Sequence, residues 1–104
     1  MYANCVGGGS NNVSMGPYAG KKISTGNANI SLGVCAGCNV TTASLNIAIG
    51  FDALQGAAGS VTGAGNLVIG RCAGQCVTSG NYNIFFGHKS GCNVTGGAQN
   101  IAIG

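Results

Sequence analysis

One five-residue pattern, Asn-x-x-x-Gly, recurs six times along this chain at nearly even spacing. Successive copies end 17, 17, 20, 17 and 17 residues apart. A fixed period of this length predicts a repeat protein, in which each unit buries its apolar residues against the next one. We therefore interpret residues 1–104 as a single repeat domain with no capping segment at either end. Its units end at Gly16, Gly33, Gly50, Gly70, Gly87 and Gly104.

Each unit is too short for two packed helices, and its glycine, threonine and asparagine residues are poor helix formers. Within the pattern the apolar residues lie two apart, as Ile47 and Ile49 do, which is the period of a β-strand. Glycine and asparagine suit the corners between strands because both tolerate positive φ. The sequence therefore predicts an all-β fold, a parallel β-solenoid (β-roll or β-helix) of six coils of about 17 residues, rising ~4.8 Å per coil.

The alternation along each strand also predicts which side chains fill the solenoid. We expect the two apolar residues of each strand to point inward, and the residue between them to point outward. The outward residues become more apolar along the chain, which predicts a contact with another subunit there. The expected inner ladders are Val13, Ile30, Ile47, Leu67, Ile84 and Ile101, and Met15, Leu32, Ile49, Ile69, Phe86 and Ile103. The expected facing wall is Val6, Ile23, Val40, Val61, Val77 and Val94, and the expected outward residues are Ser14, Ser31, Ala48, Val68, Phe85 and Ala102.

The recurring asparagines are expected to stack their side-chain amides from coil to coil, as asparagine ladders do in stacked strands. An uncharged residue suits such a column because like charges one coil apart would repel each other. The same argument explains why charged residues make up only 5% of the chain, against about 25% in an ordinary domain. The column consists of Asn12, Asn29, Asn46, Asn66, Asn83 and Asn100.

Charge and hydropathy argue against several classes of function. The net charge of +3 comes from scattered cations, whereas nucleic-acid binding needs a clustered basic face. No segment approaches the ~20 apolar residues of a membrane-spanning helix, so we expect no membrane insertion. Asp52 is the only acidic residue, and His88, the only histidine, has no acidic or nucleophilic partner at a defined spacing. We therefore expect no catalytic residues and no enzymatic activity.

Six cysteines raise the questions of disulfides and of metal binding. A disulfide needs Cα atoms within about 7 Å, which in a solenoid restricts pairs between coils to neighbours. Cys76 and Cys92 meet this condition, and Cys92 would lie beside Cys5 of a following subunit if subunits stack end to end. The alternative is that cysteine fills a narrow core as a small apolar residue. The pairs Cys35–Cys38 and Cys72–Cys76 superficially suggest zinc ligands, but they lie two coils apart, so we expect neither metal nor cofactor.

The motif formed by "NIAIG", "CAG" and "VTSGNYN" resembles the Asn/Gly-rich repeats of bacteriophage and bacterial tail-fibre-type proteins. It is more loosely similar to the "AIG" repeats in the head domains of trimeric autotransporter adhesins. The resemblance covers essentially the whole chain as a type of repeat. It implies an extended fibre, extracellular or on a virion surface, often trimeric, with a structural or adhesive role and no catalytic residues.

These observations predict a structural, fibre-forming protein whose partner is itself, through end-to-end stacking, a trimer or a longer repeat array. Two alternatives remain open. One is an adhesin module that binds a cell-surface glycan or receptor through Tyr18, Tyr82, Phe85 or a corner loop near residues 55–60. That loop would hold the three extra residues of the fourth unit. The other is an ice-binding solenoid with a threonine column, of which Thr41, Thr62, Thr78 and Thr95 are the members.

Overall fold

The computed structural model describes residues 9–104, and its regular secondary structure consists of short strands. The strands pair in chain order, and all are parallel, in a single six-stranded sheet. This confirms the predicted parallel β-solenoid. None of the described residues forms a helix long and apolar enough to cross a membrane. The strands are β1 (Val13–Met15), β2 (Ile30–Leu32), β3 (Ile47–Ile49), β4 (Leu67–Ile69), β5 (Ile84–Phe86) and β6 (Ile101–Ile103).

Successive repeats lie in strict register, so that equivalent residues stack directly above one another. Ile30 pairs with Ile47, and Ile47 pairs with Leu67 although the unit between them has 20 residues. The extra residues leave the stack as an exposed turn at residues 57–60. The insertion therefore lies at a corner, as the sequence predicted, and the sheet is continuous past it.

The side chains of each strand face the opposite way from the one expected from the sequence. The middle residue of each strand points into the solenoid, and the two apolar residues beside it point outward. Phe85 is fully buried, whereas Ile101 and Ile103 are 69% and 76% exposed. The reason is the asparagine before each strand, whose side chain is inside. Because side chains alternate along a strand, an inward asparagine forces the next residue out and the one after it in.

The inner column consists of small residues in its first three coils, grows to its largest member at Phe85 and ends in alanine. Its described members are Ser14, Ser31, Ala48, Val68 and Phe85, all buried, and Ala102, which is half-buried. The expected facing wall is confirmed for Ile23, Val40, Val61 and Val77, which are buried, and Val94 packs against the same core. Val6, the other member, lies outside the described residues.

In the coils of β3, β4 and β5, the strand centre and the following corner compensate for each other in volume. The coil centred on Phe85 has Gly91 at its corner, and a Cβ on Gly91 would overlap the Phe85 ring. The coil centred on Val68 has Gly74, whose Cβ would lie 3.2 Å from a Val68 methyl. Where the centre is only Ala48, the equivalent corner carries Leu54, which is fully buried. These three coils therefore fill a narrow interior with different divisions of the same space. The two coils with serine at the strand centre also have glycine at this corner and do not show this compensation.

Candidate interaction surfaces

The asparagine column runs through the interior beside the sheet. The main-chain N–H of Asn83 donates to Oδ1 of Asn66 at 3.0 Å, and the Asn83 side-chain amide donates to the same oxygen at 3.1 Å. The Asn66 amide also donates to the carbonyl of Gly80 at 2.9 Å. Each of these bonds joins one coil to the next, so the column holds the stack together. Asn12, Asn29, Asn46, Asn66, Asn83 and Asn100 all take part in it.

The outward residues of the six strands form one contiguous apolar surface, which we call the apolar face. It contains no charged side chain, and its end strands are the most exposed. Val34 and Phe51 follow the strands at one edge of this surface, Leu45 and Tyr82 precede them at the other, and all four are exposed. The face consists of Val13, Ile30, Ile47, Leu67, Ile84 and Ile101, and of Met15, Leu32, Ile49, Ile69, Phe86 and Ile103.

The opposite wall presents polar side chains to solvent. Thr62 and Thr95 are exposed, and Thr41 and Thr78 are half-buried. Ser24 takes the threonine position in an earlier coil, and its main-chain N–H donates to the carbonyl of Thr41. The only regular pairing on this wall, within the described residues, is one bridge between Val40 and Val61. The wall thus offers a single, incomplete threonine column rather than a flat double array.

One disulfide, between Cys35 and Cys38, closes a corner turn within a single coil. Their Cα atoms are 4.8 Å apart. Sequence reasoning missed this pair because it considered bridges between coils, whereas a turn brings residues i and i+3 together. Cys76 and Cys92 are free and half-buried in this structure, and Cys72 is free and buried. Cys5 lies outside the described residues, so the bond between Cys92 of one subunit and Cys5 of the following subunit stays a prediction.

Reducing the Cys35–Cys38 bond should lower the free energy of unfolding by about 2 kcal/mol, the loop-closure value for so short a ring. The solenoid should remain folded, because its coils are joined by main-chain hydrogen bonds. Urea unfolding with and without reductant measures the difference. A Cys35→Ser/Cys38→Ser variant should show no further change with reductant, whereas a Cys76→Ser/Cys92→Ser variant should respond as the parent does. Equal sensitivity of all three proteins would contradict the assignment.

Of the three aromatic residues considered for a glycan-binding surface, one is buried and two are exposed. Phe85 is fully buried, so it cannot contribute to a glycan-binding surface as proposed from the sequence. Tyr18 and Tyr82 are exposed, and the Lys21 ammonium lies 4.8 Å from the Tyr18 ring centre. Among the described residues, no three His, Cys, Asp or Glu side chains come together in a group that could hold a metal ion.

Comparisons with family models, with curated proteins and with solved structures found no match to this chain.

Proposed function

We propose that this chain is a structural protein that builds a fibre by stacking β-solenoid coils, either between subunits or within a longer array of repeats. On this proposal the fibre is extracellular or on a virion surface, and the partner of each coil is another coil of the same kind. The proposal rests on how coils recognise each other.

The observation that carries the proposal is that successive coil junctions repeat the same main-chain hydrogen bond. Ile30, Ile47 and Leu67 each donate their main-chain N–H to the carbonyl of the asparagine one coil further on. The distances are 2.9, 2.8 and 2.8 Å. Ile84 makes the same bond to Asn100 at 2.8 Å. Because every junction along the sheet uses the same main-chain donors and acceptors, a further strand can be added there with the same contacts. An open strand edge is a template for such addition.

The glycine that ends each unit restricts this addition to coils that have no side chain at that position. A Cβ on Gly33 would lie 2.8 Å from the carbonyl carbon and oxygen of Gly50, which is closer than van der Waals contact allows. Gly16 and Gly50 have the same relation to Gly33 and Gly70. Coils approach each other this closely only where no side chain intervenes. The proposed junction therefore requires a glycine on the coil that receives the next one.

Electron microscopy and fibre diffraction of the purified chain test the proposal. We expect filaments with a ~4.8 Å repeat along the axis. A Gly104→Ala variant should keep the fold, because its Cβ has no atom within 4 Å and only the local φ of 105° is strained. It should form few or no filaments, because that Cβ would obstruct an incoming coil. Circular dichroism verifies the fold of both proteins. A parent chain that stays unassembled at high concentration, or a variant that elongates equally well, would refute end-to-end stacking by this chain.

A further inference from the structure

We propose that the apolar face is a lateral docking surface for the apolar face of a second copy of this chain. This contact is separate from end-to-end stacking, because it uses the outward side chains of the strands rather than their hydrogen-bonding edges. It also replaces the sequence-based expectation that the middle residues of the strands contact another subunit, since five of the six are buried and the sixth is half-buried.

The size of the face favours a macromolecular partner. Six strands at ~4.8 Å spacing extend it about 24 Å along the solenoid, and its width with the flanking positions is roughly 20 Å at ~3.3 Å per residue. The product, roughly 500 Å² in projection, is at the upper end of the apolar patches that monomers leave exposed. It approaches the ~800 Å² that each partner contributes to a standard protein interface.

The shape of the face favours a second copy as that partner. Its side chains form rows one coil apart, so ridges and grooves alternate every ~4.8 Å along the solenoid. A partner can fit its own rows into the grooves of the apolar face over the whole length only if its surface has the same period. Another copy of the apolar face has that period by construction. Isoleucine, leucine and valine dominate both surfaces, so neither contributes a polar group that would lose its hydrogen bonds on burial.

The charges lie outside the face, which is consistent with its burial against protein. Lys21 and Arg71 are each held over a ring, those of Tyr18 and Phe51, at 4.8 and 5.7 Å from the ring centres. Arg71 and Lys89 lie in neighbouring coils beside one edge of the face, but two cations there fall short of the cluster of about 4–8 basic residues that anchors a protein on an anionic lipid surface. Lipid is therefore the less favoured occupant, and the experiment separates it from a second copy.

A paired charge substitution tests the proposal in the intact chain. Leu32→Lys/Ile69→Lys places two lysines on the apolar face, two coils apart, where neither side chain points into the core. Thr42→Lys/Ser79→Lys is the matched control, with the same added charge at exposed positions on the opposite wall. Gly104→Ala is included in each protein to suppress end-to-end growth. Sedimentation equilibrium at ~10–100 µM covers the range of ordinary protein–protein affinities.

We expect the Gly104→Ala chain and the control to sediment with at least twice the monomer mass of 10.1 kDa, and the apolar-face variant to remain monomeric. Loss of the pairing should appear as at least a tenfold weaker association. A monomeric parent overturns the proposal, as does an apolar-face variant that pairs like the control. Flotation with neutral phosphatidylcholine vesicles identifies the alternative, since a monomeric parent that floats with them has a lipid-binding face. Gly104→Ala blocks end-to-end growth in all of these proteins. A negative result for lateral docking would therefore not refute the fibre proposal, which is tested by electron microscopy and fibre diffraction.

Discussion

Alanine at Gly50 should destabilise the solenoid by about 3–5 kcal/mol, a large part of the stability of a domain this size. Two effects combine. Gly50 has a φ of 129°, in a region that a residue with a Cβ rarely adopts. The added Cβ would also lie 2.8 Å from the carbonyl carbon and oxygen of Gly70, which are main-chain atoms that cannot rotate away. The two coils must separate, and the hydrogen bonds between them lengthen together.

Thermal or urea unfolding of Gly50→Ala measures this effect, and Gly104→Ala is its matched control. Gly104 ends the equivalent pattern and also has positive φ, at 105°, but a Cβ there would have no atom within 4 Å. We expect the control to lose only the cost of backbone strain, about 1 kcal/mol, so that the difference between the two variants isolates the contact between coils. Equal destabilisation of both variants would mean that backbone strain, rather than coil stacking, accounts for the glycine column.

The second large effect is expected for Asn66→Ala, which should cost about 3–5 kcal/mol through several buried groups left without partners. The Asn66 side chain donates to Gly80 and to Asn46, and accepts from the main chain and the side chain of Asn83. Water cannot replace these bonds easily, because Asn66 is 1% exposed. Truncation therefore breaks the column in the middle and removes the partners of the Gly80 carbonyl and of the Asn83 N–H in the next coil, whereas Asn46 Oδ1 keeps its bond from the main-chain N–H of residue 66.

Asn100→Ala provides the comparison for this prediction. Asn100 donates its side-chain amide to Asn83 at 3.0 Å, but it is exposed, so its loss should cost about 1 kcal/mol or less. Urea unfolding followed by circular dichroism compares the two variants under the same conditions. If Asn66→Ala were as stable as Asn100→Ala, the column would be a consequence of the stacking of coils and not one of its causes.

The fold could be predicted from the sequence because the repeat constrains every coil at once. Six copies of one pattern at nearly constant spacing leave little choice but a stack, and the apolar residues two apart indicate strands. The 20-residue unit was placed correctly for the same reason, since a stack that keeps its register must release extra residues at a corner.

The orientation of the side chains could not be obtained from the same alternation. A period of two is satisfied equally by either face, and the larger apolar residues were assigned to the interior by size alone. The decisive residue is the asparagine before each strand. A column of amides that bond to one another as well as to the main chain, as Asn66 and Asn83 do, belongs inside, and its position determines the rest.

The Cys35–Cys38 disulfide could not be predicted for a different reason. Spacing between coils indicates the distance along the solenoid, but it does not show that the curvature of a corner brings two cysteines of the same coil together.

The balance of volumes between the middle of a strand and the corner after it affects how such an array can change in length during evolution. Deleting or duplicating a segment with both ends on the threonine-bearing wall keeps Phe85 together with Gly91, and Ala48 with Leu54. Recombination at the glycine that ends a unit, such as Gly87 or Gly50, would instead join the phenylalanine strand to the leucine corner. That coil would be overfilled, and the reciprocal product, an alanine strand with a glycine corner, would contain a void. Gain and loss of repeats should therefore favour one side of the coil for their breakpoints, although the sequence on both sides is equally repetitive.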